Sequence, residues 1–322
     1  MGSSLIQMPS TEDVGKNNLD LRINHRFGNA RNTTGDFLGL DNGANTQIAL
    51  DYGITDRLSV GFARTSFFKT YELRGKYRLL TQDKDFPFTL AIYGVAGQET
   101  NEQRITLPNY INPPSTGIPT IDSQIRTSAN QYELSDNDKR SYLGSILISR
   151  KFTDRISLQI SPMFVHRNFV KTNLSNDRMG LDVGGRIKIT KRFDFTFEAI
   201  FLPKRDYVGD RYATLDQQSE FGITQLTSDQ INAGLNGGSL NPGTAYAQNV
   251  ILDKKVPHLF TPFSLGFDLE TGGHVFQFFV TNSRALAQTQ LLRGAEFDYF
   301  KKDWTVGFNI HRYFSLGDDE IQ

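Results

Sequence analysis

Residues 69–80 hold the pattern that most restricts the fold. Tyr71, Leu73, Tyr77 and Leu79 alternate with Glu72, Arg74, Lys76 and Arg78. Successive side chains of a strand point to opposite faces, so one face is apolar and the other is charged at four consecutive positions. Such a charged face cannot be a core, and its partner is too apolar for water. The pattern fits a strand between two solvents, lipid outside and water inside, as in a membrane β-barrel. Residues 18–27 repeat it, with Leu19, Leu21, Ile23 and Phe27 opposite Asp20, Arg22, Asn24 and Arg26; His25 is the one polar residue on the apolar side.

A short phrase then recurs between strands. Tyr52-Gly53-Ile54-Thr55-Asp56-Arg57-Leu58 returns as Phe152-Thr153-Asp154-Arg155-Ile156 and as Ile189-Thr190-Lys191-Arg192-Phe193, with a looser copy at Glu270-Thr271-Gly272-Gly273-His274. One hairpin is being reused. Alternation between such turns predicts twelve strands, at about 18–27, 45–52, 58–65, 69–80, 87–97, 141–151, 156–166, 179–189, 194–202, 259–269, 274–282 and 297–314. Most run close to the length that crosses a tilted bilayer, about 9–11 residues. The even-numbered connections are all short, while the odd ones include two long insertions, about 98–140 and 203–258. Membrane barrels segregate their loops this way, with short turns periplasmic, long loops extracellular and both termini periplasmic.

The expected fold is therefore all-β, a 12-stranded antiparallel up-and-down transmembrane β-barrel over residues 17–314. A polar N-terminal leader (1–16) without periodic pattern precedes it and a C-terminal tail (315–322) follows. Within the longest insertion, Ser228–Leu235 is expected to form one capped helical turn. Composition agrees. Aromatic residues are abundant, 25 Phe, 12 Tyr and one Trp, while the hydrophobic fraction is only 38%. No run reaches the roughly 18 apolar residues of a transmembrane helix. Lys+Arg and Asp+Glu both total 35, so the basic surplus of a nucleic-acid binder is missing. The absence of cysteine excludes disulfide frameworks and thiolate chemistry. Met1-Gly2-Ser3-Ser4 lacks the charged and apolar regions of a signal peptide, so the expectation is a mature chain whose export signal has been removed.

Aromatics cluster near the strand ends. Phe67, Phe68, Tyr71, Tyr142, Phe164, Phe169, Phe201, Phe260 and Trp304 fall toward the outer rim, and Tyr52, Tyr77, Phe88, Phe152, Phe193 and Phe314 toward the inner one. Two interfacial girdles are expected. With Asn24-His25-Arg26-Phe27-Gly28, Gly39-Leu40-Asp41, the turn phrase at 51–61, Lys76-Tyr77-Arg78-Leu79-Leu80 and Thr281-Asn282-Ser283-Arg284, nearly the whole chain resembles a family of uncharacterised outer-membrane β-barrel proteins. The resemblance implies a place in the bacterial outer membrane and an architecture, with no agreed activity. One departure is that eight residues follow Phe314, whereas such barrels usually end on an aromatic residue.

The candidate lumen-lining residues are Asp20, Arg22, Arg26, Asp51, Glu72, Arg74, Lys76, Arg78, Asp182, Arg186, Lys188, Glu198 and Asp268. They form either a charged pore that filters small solutes or a narrow lumen zipped shut by ion pairs. Seven of them are basic and six acidic, so a pore would prefer anions. The expected function is a porin-like channel or transporter. The alternative is a non-conducting barrel that docks an envelope protein partner or ligand through its long loops. A barrel hydrolase ranks below both: of the histidines, only His166, with Asp177 and Asp206 in reach, resembles a rim catalytic pair, and no enzyme is expected. Asp136-Asn137-Asp138 has oxygen ligands at close spacing but lacks the glycine and distal glutamate of a calcium loop. No metal, cofactor or nucleic-acid partner is expected; the partners are outer-membrane lipid and small solutes.

Overall fold

In a computed structural model, residues 2–30, 35, 37–41, 43–102, 104–106, 118, 121, 131–170, 176–203, 260–301 and 303–316 are described. The described strands are β1 (Asn18–Arg26), β2 (Asn45–Gly53), β3 (Leu58–Thr65), β4 (Thr70–Leu80), β5 (Thr89–Gln98), β6 (Arg104–Thr106), β7 (Gln131–Glu133), β8 (Arg140–Lys151), β9 (Ile156–Arg167), β10 (Asp177–Lys188), β11 (Phe193–Phe201), β12 (Phe263–Thr271), β13 (His274–Thr281) and β14 (Thr305–Ser315). Twelve of them form a closed antiparallel barrel in up-and-down order, and β6 pairs with β7 as a separate ribbon inside the first long insertion. β1 and β14 complete the ring, in register from Asn18↔Ser315 to Arg26↔Gly307.

The side-chain period of two sets the two faces. On β4, Tyr71, Leu73, Tyr77 and Leu79 are exposed while Glu72, Arg74 and Lys76 are buried. With the apolar face outward and the charged face inward, this is the burial order of a barrel whose outside meets lipid. Leu73 is 65% exposed and Phe278 58%. In a water-soluble protein such a continuous belt would be an aggregation hazard.

The repeated turn has a geometric cause. Thr55 Oγ1 accepts from the Arg57 and Leu58 amides at 3.1 and 2.9 Å, and Thr153 Oγ1 from those of Arg155 and Ile156 at 3.2 and 3.0 Å. Thr190 Oγ1 accepts from the Arg192 amide at 3.3 Å. A threonine hydroxyl thus takes the place of a backbone acceptor at the tip. The carbonyls of Arg57, Arg155 and Arg192 each accept from the next hairpin, from Arg78, Lys188 and Glu270 at 2.8 Å. The looser copy uses Gly272 and Gly273, with φ of 45° and 89°. Two consecutive positive φ angles suit a two-residue hairpin loop and need no hydroxyl.

Two strands start furthest from expectation. The last strand starts at Thr305 and not at 297, because Tyr299–Lys301 forms a 3-10 turn that leaves Phe300 81% exposed. β12 runs over Phe263–Thr271, shifted toward its tight turn. Ser228–Leu235 and nearly all of the second long insertion lie outside the described residues.

Candidate functional site

The lumen is occupied by the chain's own N-terminal segment. At the short-turn end, Asn17 donates its amide to the Gly53 carbonyl at 2.8 Å and Lys16 donates to Asp56 Oδ1 at 3.2 Å. From there residues 2–16 run into the barrel and fold back on themselves. The Leu5 amide donates to the Met8 carbonyl at 2.8 Å, and the Ser10 amide to the Ser3 carbonyl at 2.9 Å. The apolar tip, Leu5-Ile6-Gln7-Met8, is buried, and Gly2 returns to the mouth by which the segment entered, beside Lys188 and Arg192.

A hairpin inside a barrel has no sheet to satisfy its backbone, so side chains must do so. Glu198 on β11 accepts from the Gln7 and Met8 amides at 2.6 and 2.8 Å. Arg186 donates to the Ser4 carbonyl at 3.0 Å. Arg26 and Asn309 converge on the Ile6 carbonyl at 3.3 and 2.9 Å. Gln159 grips the far arm twice, accepting from the Thr11 amide at 3.1 Å and donating to the Pro9 carbonyl at 2.9 Å. Lys76 donates to the carbonyls of Ser10, at 2.9 Å, and Glu12. Ser3 Oγ donates to Asp20 at 2.6 Å, and Ser4 Oγ meets His311 Nε2 at 3.2 Å. Gly184 makes room for the tip: a Cβ there would sit 2.6 Å from Leu5 Cδ1.

All thirteen lumen candidates fall on the inward side, and the hairpin and their own pairing engage most of them. Arg22 pairs with Asp51 and lies 3.8 Å from Asp20, and Arg74 lies 3.8 Å from Asp51. Arg186 pairs with Asp268 at 2.7 Å. Lys76 and Arg78 meet the hairpin's Asp13 at 3.7 and 3.3 Å. Asp182 accepts from Ser161 at 3.1 Å and faces Glu198. Arg26 lies over the Phe279 ring at 4.2 Å and donates to Asn309 at 2.8 Å. Lys188 is exposed, lining a cavity of about 210 Å³ that opens at the short-turn mouth. Deeper inside, the spaces beside Arg22 and Arg26 are about 20 and about 10 Å³, room for roughly one water each.

A second segment closes the lumen from the opposite side. Residues 282–296, between β13 and β14, fold inward through a 3-10 helix at Gln288–Arg293. The Thr289 amide donates to Glu72 at 3.1 Å, Gln290 donates to Thr70 at 3.0 Å, and Arg293 pairs with Glu99 at 2.5 Å. Leu291 and Leu292 join Met8 in an apolar cluster on the lumen wall, with Tyr93 and Val95 of β5, Leu143 and Leu147 of β8, and Met163 and Val165 of β9. Sequence reasoning did not find either inward segment. Leu5, Ile6 and Met8 were the available signal, three apolar residues in a stretch otherwise rich in Ser, Gln, Pro and Thr.

The other candidates behave as local structure. His166 Nδ1 contacts Asp177 Oδ1 at 2.6 Å across the β9–β10 register, in a half-exposed pair at the rim beside Tyr142. Asp206 lies outside the described residues. Asp138 accepts from the Ser135 amide and hydroxyl at 2.8 and 2.7 Å, which closes a turn, and Asp136 pairs with Lys139 at 3.1 Å. Among the described residues no group of His, Asp or Glu is arranged to hold a metal ion. Of the rim aromatics, Phe68, Tyr142, Phe164 and Phe201 are exposed at one end and Tyr77, Phe88, Phe152 and Phe314 at the other.

A family model described as a membrane bound beta barrel domain (DUF5777) matches residues 1–314, a span that includes the lumen hairpin. No curated protein matches the sequence. Solved structures with which it aligns include the Acinetobacter baumannii outer membrane protein Omp33, at 7% identity and a TM-score of 0.38, covering 94% of this chain and 100% of that one. A Pseudomonas aeruginosa FadL homologue aligns at 11% identity and a TM-score of 0.38, covering 93% and 90%. Porin of Rhodopseudomonas blastica aligns at 7% identity and a TM-score of 0.32, and this chain spans about half, 55%, of that protein's length.

Proposed function

Because this chain belongs to the membrane bound beta barrel domain family, we propose that it is an outer-membrane channel or transport barrel for small solutes, held shut at rest by its N-terminal hairpin. A closed, even-stranded barrel with a lipid-compatible outer face belongs in an outer membrane, with its short turns and both termini on the periplasmic side. The observation that carries the reading is that segments folded into the lumen, a tethered hairpin and the loop 282–296, close it, and not the wall. The wall's Glu198, Arg186, Arg26, Lys76 and Gln159 hold that hairpin through its backbone. Withdrawal of residues 2–16 frees the charged inward faces of β1, β4 and β10, and the loop 282–296 must yield as well before a solute passes. Both ends of the hairpin lie at one mouth, so it leaves without threading a free end through the barrel.

The chain has no cysteine, so a lock can be introduced cleanly. Ser4→Cys with His311→Cys replaces a contact of 3.2 Å between hairpin and wall. In planar bilayers the oxidised protein should stay silent and the reduced protein should show intermittent conductance. A variant lacking residues 2–16 should conduct continuously. The inward fold of residues 282–296 favours the second reading, a non-conducting barrel that docks a partner. Silence in all three forms would select it.

A further inference from the structure

The lumen is lined by two unlike walls that meet at one strand boundary. On β5, β8 and β9 the inward residues Tyr93, Val95, Leu143, Leu147, Met163 and Val165 are apolar and buried. They are contiguous, since Val95 registers with Leu143 and Leu143 with Val165. From Leu147 to Leu143 this wall runs about 13 Å at the usual rise of a strand, interrupted at its centre by Ser145, which registers with Tyr93 and Met163 and donates its hydroxyl to the Pro162 carbonyl at 3.0 Å. The next strand, β4, carries two cations on the same face, Arg74 in register with Val95 and Lys76 with Tyr93, while its Glu72 is taken by the Thr289 amide. Such a wall favours a solute with an apolar part, because apolar surface is costly to wet.

The hairpin shows what fits there. It lays Met8 on the apolar wall and brings Asp13 to Lys76 and Arg78. Asp13 is a poor occupant of the basic end. Its contacts, at 3.7 and 3.3 Å, are longer than the 2.7–2.9 Å of a good charge-assisted bond. Burial outweighs the two cations and pushes the Asp13 carboxyl above its ordinary pKa. A free carboxylate joined to an apolar chain can make both contacts without that constraint.

We propose that the ligand of this lumen is an anionic amphipath, a single apolar chain ending in a carboxylate. Its head sits on Lys76 and Arg78 in place of Asp13, and its tail lies along the β5–β8–β9 wall in place of Met8. The proposal rests on the gated-barrel reading and names its substrate class. A ligand of this kind competes with the hairpin, so binding and opening are the same exchange.

The test uses the full chain in phosphatidylcholine nanodiscs, with dodecanoate carrying a diazirine near the end of its chain. Lipid-phase labelling of outward residues such as Ile146 and Leu158, on the same strands, serves as the internal reference. Photoadducts are expected on inward Leu143, Leu147 or Met163, competed by unlabelled dodecanoate and not by dodecanol. Lys76→Gln should lower inward labelling at least tenfold while outward labelling stays constant. Glu198→Ala, which loosens the hairpin, should raise inward labelling. Adducts confined to outward residues in both the native chain and Glu198→Ala would overturn the proposal, as would equal competition by dodecanol. Inward labelling that Lys76→Gln leaves unchanged would also overturn it. The two readings fail separately. Conductance on reduction of the Cys lock without inward adducts discards the amphipath alone, and inward adducts in a barrel that never conducts discard the channel alone.

Discussion

Glu198 holds the hairpin at its tip by two backbone amides, and replacing it gives a quantitative expectation. Its carboxylate accepts two amides at the hairpin tip, Gln7 at 2.6 Å and Met8 at 2.8 Å. In Glu198→Ala both amides remain buried without acceptors unless the tip leaves the lumen. Hydrogen bonds to a charged group contribute about 1.5–3 kcal/mol each, so two amount to about 3–6 kcal/mol. Asp182 faces Glu198 closely, and relief of that crowding offsets part of the loss, which favours the lower end. At about 1.4 kcal/mol per tenfold, a loss of about 3 kcal/mol raises the undocked population roughly a hundredfold. Hydrogen exchange of a peptide covering residues 4–12, read by mass spectrometry in nanodiscs, measures that population directly. Exchange protection there should fall about a hundredfold while that of β8 and β9 amides is unchanged. Glu198→Gln, which keeps one acceptor oxygen, should fall between the two. Protection in Glu198→Ala within twofold of the native chain would refute the idea that these two bonds hold the hairpin.

Other expectations follow from neighbouring contacts. Arg186→Leu removes the partner of buried Asp268 at 2.7 Å and a donor to Ser4; stripping one side of a buried pair costs about 3–5 kcal/mol, so thermal unfolding followed by circular dichroism should shift clearly downward. Gly180→Val should expel the inward loop without opening the hairpin, because a Cβ at Gly180 would lie 2.5 Å from Leu292 Cδ2; new protease cleavage within residues 285–295 is the readout. The Asp13 carboxyl has its pKa raised in the docked state by burial. It therefore binds its proton more tightly docked than free, so it favours docking below the free carboxylate value, about 4, and loses that contribution as pH climbs through the raised one. Protection of residues 4–12 should decline over that window, and Asp13→Asn should abolish the step. The passage opened by deleting residues 2–16 should prefer anions, since seven of the thirteen lumen candidates are basic and the deletion removes two acidic residues, Glu12 and Asp13, against one basic, Lys16; reversal potentials in a salt gradient measure the preference.

How much of this was legible in the sequence depended on what each side chain faces. β1 and β4 declare both faces because their lumen side is charged and their lipid side apolar, so period two stands out. β5 does not, and the reason is now physical: Tyr93 and Val95 face Met8, Leu291 and Leu292, so both of its faces meet apolar surroundings. In the sequence the last strand extends back to 297 because Phe297, Tyr299 and Phe300 continue an aromatic run, which a 3-10 turn interrupts. The hairpin left the faintest trace. It is held through its backbone, and carbonyls and amides that bind Lys76, Arg186 and Glu198 are the same whatever side chains they carry. Only Leu5, Ile6, Met8 and Val14 mark the segment as buried, at a spacing that belongs to neither helix nor strand.

The ring of strands is sealed where β1 meets β14, the two ends of the sequence. The hairpin sits across that joint. Ser3 reaches Asp20 on β1 and Tyr313 on β14, Ser4 reaches His311, and the Ile6 carbonyl is shared by Arg26 and Asn309. Residues separated by some 300 positions are thus riveted together by a segment that lies immediately upstream of the first strand. Where strands pair in chain order, the joint is the last part of the wall to zip, since its partners are the farthest apart in the chain. The segment that stoppers the mature barrel is then also the clamp that brings its edges together, and a chain deprived of it should assemble slowly even where the finished barrel is stable.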